Sequence, residues 1–185
     1  TIRPDEFEKA DLAKDFDIIV FPSVSKDILM EGKYKSGGED YYISNYDPQF
    51  TKGMGEKGMD NLMTFLDKGG IVVSWGGSTG LFDGTLKIKH SDSEVESFQL
   101  PFNDVSAEMQ DLYCPGSLVR VKLVKDSPLT LGMSESVTAF YRGRPVFETS
   151  IPRFDMDRRV VGLFPEKDIL VSGYIEKEEL LSDKS

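Results

Sequence analysis

An amphipathic helix that leads directly into an apolar strand constrains the fold more than any other feature of this chain. In GEKGMDNLMTFLDKGG, Met59, Leu62, Met63 and Leu66 recur at i, i+3, i+4 and i+7, which predicts a helix with one face toward a core. Gly69 suits the helix C-cap. The apolar run IVVSW follows at once, and a helix followed directly by a buried strand is typical of an α/β unit.

A second apolar run favours a parallel sheet. FDIIVFPS, residues 16–23, is apolar on both of its alternating faces, as a strand inside a parallel sheet is. The preceding PDEFEKADLAKD has the charge and spacing of a short surface helix, and residues 24–52 are expected to form one long loop. These segments together predict an α/β fold.

The second half of the chain contains further strand patterns. LKIKH and VESFQL flank the polar turn SDSE, which predicts a hairpin-like excursion. LVRVKLV alternates with period two, which predicts a half-exposed strand. Additional strands or strand ends are expected at residues 137–141, 145–148, 160–165 and 169–174.

Charge and composition exclude several classes of function. The net charge of −10, from 32 acidic and 22 basic residues, argues against a nucleic-acid partner and against binding to an anionic membrane surface. No apolar run approaches the roughly 20 residues that span a bilayer, so no membrane insertion is expected. The chain has one cysteine, Cys114, and one histidine, His90, so a zinc site made from this chain alone is not expected.

The turn after IVVSW fits the pattern G-x-S-x-G, which is typical of a hydrolase nucleophile elbow. Ser78 is therefore a candidate nucleophile. The single imidazole is that of His90, twelve residues later, with Asp83 between them on what is expected to be one short excursion. The alternative is structural: the glycines allow a close strand-to-helix turn, and Ser78 or Thr79 caps the helix that follows.

The same turn could bind a small anion through backbone N–H groups at the start of a helix. The candidate residues are Gly76, Gly77, Ser78 and Thr79. The dinucleotide fingerprint G-x-G-x-x-G is not met, because Trp75 stands where its first glycine should be. Plain packing of the turn is the alternative to anion binding.

The predicted long loop is rich in aromatic and acidic residues. Tyr41 and Tyr42 lie among Gly37, Gly38 and neighbouring carboxylates, a mixture that could stack on a sugar or dock a peptide. The alternative is that the rings fix the loop to its own domain.

His90 and Cys114 each have a functional and a structural interpretation. His90 could form a loose metal site with Asp92 and Glu94, but its polar neighbours favour an exposed side chain without a ligand. Cys114 precedes Pro115 in a predicted turn and has no nearby cation to activate it. A small buried apolar role for Cys114 is therefore favoured.

The order of these motifs resembles that of a known family. FDIIVFPS, GMGEKGMDNLMTFLDKGGIVVSWG, LYCPGSLVRVKL, DSPLTLGM and LFPEKDILVSGYI together resemble the class I glutamine-amidotransferase-like domain that accompanies bacterial M14-type zinc carboxypeptidases. The resemblance implies a three-layer sandwich with a mostly parallel sheet of the flavodoxin-like type. It also implies a single domain over residues 1–185 that is a piece of a longer chain.

The chemistry of that family does not carry over to these residues. A working glutaminase resembles G-x-C-x-G at the elbow, with a His and a Glu late in the chain, whereas this elbow has Ser78 and no His follows His90. An M14 peptidase resembles H-x-x-E with a distant His, and both are missing, so any zinc would belong to the parent's catalytic domain.

The resemblance therefore implies a non-catalytic accessory domain. Its expected partner is another domain of the same parent, with contact to peptide or cell-wall glycan, in a periplasmic or extracellular protein. Two alternatives remain open: a serine hydrolase or acyl transferase that uses Ser78, and a small-anion module at the Gly76–Gly80 turn.

Overall fold

The structure is a computed structural model that describes residues 1–36, 39–41, 47, 50–91, 93–151 and 159–185. The chain divides into two compact units, Thr1–Gln99 and Leu100–Ser185. In the part of the chain that the structure describes, no helix is long and apolar enough to cross a membrane.

The helices and strands of the first unit are α1 (Leu12–Asp15), β1 (Ile18–Phe21), α2 (Lys26–Glu31), β2 (Tyr34–Ser36), β3 (Glu39–Tyr41), α3 (Gly55–Asp67), β4 (Ile71–Ser74), β5 (Thr85–Ser91) and β6 (Glu94–Gln99).

The predicted helix and the strand that follows it are confirmed. α3 ends in a Schellman motif: the N–H of Gly69 donates to the carbonyl of Leu66, and the N–H of Gly70 donates to the carbonyl of Phe65, both at 2.9 Å. Gly69 adopts φ +91°, the left-handed region that glycine enters at least cost. This tight ending brings the chain directly into β4, which pairs with β1 in parallel.

The segment PDEFEKADLAKD is not the single surface helix that its charge predicts. It forms a 3₁₀ turn, Pro4–Glu6, and the short α1, with Phe7 and Leu12 almost completely buried. The side-chain amide of Asn61 on α3 donates to the carbonyl of Phe7 at 2.6 Å and to that of Ala10 at 2.8 Å. These long-range contacts fix the segment against α3 and stop it from continuing as one helix.

The predicted long loop also contains structure. α2 lies inside it and ends at Gly32, whose φ is +72°. A Cβ on Gly32 would lie 2.0 Å from the carbonyl oxygen of Thr51, so the returning chain passes against the end of the helix. β2 and β3 follow as a short antiparallel pair, and β5 and β6 form the hairpin that the sequence predicts.

The second unit is built on antiparallel strands. Its strands are β7 (Phe102–Asp104), β8 (Ser117–Leu123), β9 (Ser136–Tyr141), β10 (Phe147–Thr149), β11 (Gly162–Leu163) and β12 (Leu170–Ser172). β8 pairs with β9, β11 and β12, and β7 pairs with β10. Val119 on β8 is buried while Leu118 and Arg120 are exposed, which confirms the predicted half-exposed strand. The core of this unit consists of Val105, Val119, Val146, Phe164, Ile169 and Leu181.

The expectation of a three-layer, mostly parallel flavodoxin-like sandwich is wrong. Among the described strands, β1 and β4 are the parallel pair, and the other pairs lie in small antiparallel sheets. The physical reason is the alternating pattern of β5, β8 and β9, which suits antiparallel strands with one face in water. The helix–Gly-Gly–strand motif is common to α/β proteins and does not decide how far a parallel sheet extends.

Candidate functional site

The glycine-rich turn lies where the two parallel strands end. β4 leads through Trp75 into a 3₁₀ segment, Gly76–Phe82, beside the end of β1. Ser78 is fully buried, and its hydroxyl lies 2.9 Å from the carbonyl oxygen of Trp75 and 3.1 Å from that of Phe21. The hydroxyl has one proton, which these two carbonyl oxygens share, so it joins the turn after β4 to the end of β1.

This geometry favours a structural role for Ser78 over a nucleophilic one. An activated serine is exposed to substrate and donates its proton to a base, whereas this hydroxyl is buried against main-chain carbonyls. The imidazole of His90 lies on β5, 3.4 Å from the Glu96 carboxylate and 3.9 Å from that of Asp67. Ser78 and His90 therefore have separate sets of contacts.

The predicted helix cap is wrong in its detail. Trp75 occupies the N-cap position of the 3₁₀ segment, and its side chain makes no capping hydrogen bond. Ser78 lies within the segment and bonds backward to strand carbonyls. The Thr79 hydroxyl accepts a long hydrogen bond, 3.4 Å, from the hydroxyl of Ser74.

The glycines of the turn are needed for a close approach to the end of β1. Gly76 has φ +59°, and a Cβ there would lie 2.2 Å from the Ser23 hydroxyl oxygen. The N–H of Gly77 donates to the same oxygen at 3.3 Å, and a Cβ on Gly77 would lie 3.1 Å from the carbonyl of Val24. One amide of the candidate anion site is thus already bonded to Ser23.

The remaining predicted metal and thiol residues have ordinary surroundings. Glu94 begins β6, and Asp92 lies outside the described residues. Within the described ranges, no group of three His, Cys, Asp or Glu residues is placed to hold a metal ion. Cys114 is buried, and its thiol donates to the carbonyl of Tyr141 at 3.4 Å, as expected for a small apolar residue in a core.

Tyr141 is the most strongly perturbed titratable residue near Cys114. Burial raises the pKa of its phenol, and the neighbouring Cys114 and Asp104 add to the effect. Its hydroxyl donates to the carbonyl of Pro145 at 3.4 Å, and its ring packs at 62° against Phe164. These contacts belong to the core of the second unit.

The aromatic loop gives no test of the sugar or peptide hypothesis. The backbone of Tyr41 lies in β3, and Tyr42 is outside the described residues. Binding of a peptide or glycan by Tyr41 and Tyr42 therefore stays a prediction.

An apolar sheet surface in the first unit is a feature whose residues the sequence did not identify. Ile18 and Val20 on β1 are 51% and 53% exposed, and their register partners Ile71 and Val73 on β4 are 54% and 45% exposed. Trp75 is also half exposed and continues the alternation of β4. We call these five residues the open face. Both strands have apolar residues on both faces, a pattern typical of strands that are buried on both sides. In the structure one of these faces is about half exposed.

Comparisons with known proteins identify no family for this chain. No protein-family model matches it, and no curated protein or solved structure matches it significantly.

Proposed function

We propose that this chain is a non-catalytic accessory domain of a larger bacterial protein and packs through its open face against another domain of the same polypeptide. The open face is the single observation that carries the proposal. Parallel strands are ordinarily covered on both sides, and contiguous apolar patches on a surface mark interaction sites. Here four β-branched side chains and one tryptophan lie together on one side of β1 and β4, each about half exposed.

The size of the open face favours a partner in the same polypeptide. Covering a half-exposed Val or Ile contributes about 1 kcal/mol, so the face supplies roughly 4–5 kcal/mol. Association with a separate partner also costs several kcal/mol of translational and rotational freedom, so burial of this size alone holds such a partner weakly. A tethered domain is present at a high effective concentration, so it can remain docked.

The proposed parent is a zinc carboxypeptidase of the M14 type, with its zinc in a catalytic domain outside these residues. The support is the resemblance of the motif order, together with a nucleophile position filled by a buried serine that donates to main-chain carbonyls. On this proposal the chain packs against the catalytic domain or helps to present its peptide or cell-wall substrate, and it performs no peptide hydrolysis itself.

Sequencing the complete reading frame is the first test. An H-x-x-E motif and a later His in the same polypeptide would support a peptidase parent, and a frame without them would remove that part of the proposal.

The docking part is tested in the full-length protein by small-angle X-ray scattering. Val20→Lys combined with Val73→Lys places two charges on the open face and is expected to raise the radius of gyration. Ser97→Lys, at an exposed position on β6, is the matched control and should leave it unchanged.

A further inference from the structure

Two half-exposed tyrosines and a glutamate form a small surface cluster in the second unit. Tyr113 and Glu176 face each other across an isolated antiparallel bridge, in which each backbone N–H donates to the carbonyl of the other residue, at 3.3 Å and 2.9 Å. Directly opposed residues of such a bridge have their side chains on the same face, as do residues two apart along one strand. Tyr174, two residues before Glu176, therefore belongs to the same face. We call Tyr113, Tyr174 and Glu176 the tyrosine cluster.

The tyrosine cluster is held in a fixed geometry. The rings of Tyr113 and Tyr174 meet edge to face, with centroids 6.3 Å apart and planes at 69°. The Tyr174 hydroxyl donates to a carboxylate oxygen of Glu176. The hydroxyl of Ser117 donates to the Tyr174 carbonyl at 2.8 Å and accepts from the Tyr174 N–H at 2.9 Å. Because Tyr113 and Tyr174 remain 54% and 53% exposed, the cluster presents ordered aromatic surface to solvent.

The electrostatics of the tyrosine cluster favour a cation. The faces of aromatic rings are negative, and Glu176 adds a carboxylate that forms no ion pair within the part of the chain that the structure describes. The adjacent Lys177 has its ammonium 3.8 Å from the carboxylate of Glu179 instead. The hydrogen bond to Glu176 raises the pKa of the Tyr174 phenol, and the charge of Glu176 adds to this effect. A cation beside the phenol would act in the opposite direction.

We propose that the tyrosine cluster binds an arginine side chain of a peptide, with the guanidinium against a tyrosine ring and hydrogen-bonded to Glu176. A guanidinium is planar, stacks on aromatic faces and bonds to carboxylates, so one group uses both parts of the cluster. The Glu176 carboxylate accepts one proton from Tyr174 and has further lone pairs for a ligand. The net charge of −10 attracts a basic peptide and repels an acidic one. Binding here does not require a partner on the open face, which belongs to the first unit.

The test is a titration of the chain with acetyl-Gly-Arg-Gly-amide, followed by NMR of protein labelled with ¹³C in the tyrosine rings. The ring signals of Tyr113 and Tyr174 are expected to shift together and to saturate at about 1–10 mM peptide, as suits a single exposed contact. Tyr141, whose ring packs against Phe164 in the core of the same unit, is the internal reference and should not shift.

Variants separate the two parts of the tyrosine cluster. Glu176→Gln removes the charge but keeps an acceptor for the Tyr174 hydroxyl, and it should weaken peptide binding about three-fold or more. Tyr113→Leu keeps an apolar side chain without the ring and should cause a similar loss. Glu166→Gln makes the same charge change at an exposed position of the same unit and should leave binding unchanged. An unaltered Tyr141 signal shows that each variant keeps its fold.

Peptide analogues test the choice of ligand. Replacing arginine by citrulline removes the charge and nearly preserves the shape, so binding should weaken about three-fold or more. Replacing it by lysine keeps the charge but removes the planar group, and this peptide should also bind more weakly.

Four results would overturn the proposal. The first is an absence of saturable shifts at Tyr113 and Tyr174. The second is equal affinity for the citrulline or the lysine peptide, which would show that the guanidinium is not recognised. The third is an equal effect of Glu176→Gln and Glu166→Gln. The fourth is a shift of the same two signals by N-acetylglucosamine at lower concentration than the arginine peptide, which would make the cluster a surface for stacking sugars.

Discussion

The hydroxyl of Ser78 donates a hydrogen bond to the main-chain carbonyl of Phe21, 3.1 Å away and 57 residues earlier in the chain. The carbonyl oxygen of Trp75 lies 2.9 Å from the same hydroxyl oxygen and shares its single proton. The residue that a motif marks as a nucleophile therefore holds the ends of two parallel strands together. This structural role of Ser78 does not require a histidine as a general base, and His90 contacts Glu96 and Asp67 instead.

Removing the Ser78 hydroxyl is expected to destabilise the fold. Ser78→Ala should lower the free energy of unfolding by about 1–3 kcal/mol, because it removes the buried hydroxyl and leaves the main-chain carbonyl of Phe21 without this hydrogen-bond donor. Urea denaturation measures the change. Thr79→Ala, which removes a single long hydrogen bond, is the matched control and should cost less than about 1 kcal/mol. Equal costs for the two variants would contradict the account.

The same buried hydroxyl predicts an outcome for chemical labelling. A fluorophosphonate probe for activated serines is expected to leave the folded chain unlabelled at Ser78, because the hydroxyl is buried and donates to main-chain carbonyls rather than to a base. Mass spectrometry of the treated protein measures this. Labelling of the wild type that disappears in Ser78→Ala would support the hydrolase alternative.

Gly76 is expected to tolerate substitution poorly. Gly76→Ala combines a positive φ with a Cβ that would lie 2.2 Å from the Ser23 hydroxyl oxygen, so we expect a loss of about 2 kcal/mol or more. Gly84→Ala also has a positive φ but has open space around the new Cβ, and it should cost about 1–2 kcal/mol.

A double variant separates the steric part of the Gly76 effect. Ser23→Gly removes the atoms that the Cβ would meet and should recover part of the loss caused by Gly76→Ala, as measured by thermal and urea unfolding. If Gly76→Ala costs no more than Gly84→Ala, the close approach between the turn and the end of β1 is not as described.

Stability at high pH should depend on Tyr141. Its folded pKa is raised by burial above the ordinary value of 10.0, so the folded state holds this proton more tightly than the unfolded state does. The corresponding stability is fully present below pH 10 and is lost as the pH rises from there toward the folded pKa. Tyr141→Phe should reduce the slope of unfolding free energy against pH above pH 10, measured by urea unfolding at several pH values. An unchanged slope would contradict the assignment.

Local patterns predict the elements that depend on neighbouring residues. The spacing of Met59, Leu62 and Met63 predicts α3, and Gly69 predicts its end. An apolar stripe and a left-handed cap both depend only on residues within one short segment. Period-two alternation likewise predicts β8 and the β5–β6 hairpin.

Long-range contacts account for what the sequence does not predict. The breaks around Phe7 and Leu12 depend on burial and on hydrogen bonds from Asn61, more than 50 residues away. The acceptor of Ser78 is equally distant in sequence. The apolar residues of β1 and β4 indicate that both faces of these strands favour burial, but they do not indicate what covers the second face. The expectation of a mostly parallel sheet assumed such a cover and is wrong.

Thiol protection at position 73 tests the central claim most directly. Val73→Cys places a thiol on the open face, and the native Cys114 is buried, so the background reaction should be slow. Ser97→Cys, at an exposed position on the β5–β6 hairpin, is the matched control.

The account predicts that the thiol introduced by Val73→Cys reacts rapidly with a disulfide reagent in the isolated chain. In the full-length polypeptide the same thiol should react at least about ten-fold more slowly, because the docked domain covers the open face. The thiol introduced by Ser97→Cys should react at the same rate in both proteins. Equal reactivity of the Val73→Cys thiol in the isolated chain and in the full-length polypeptide would contradict the account.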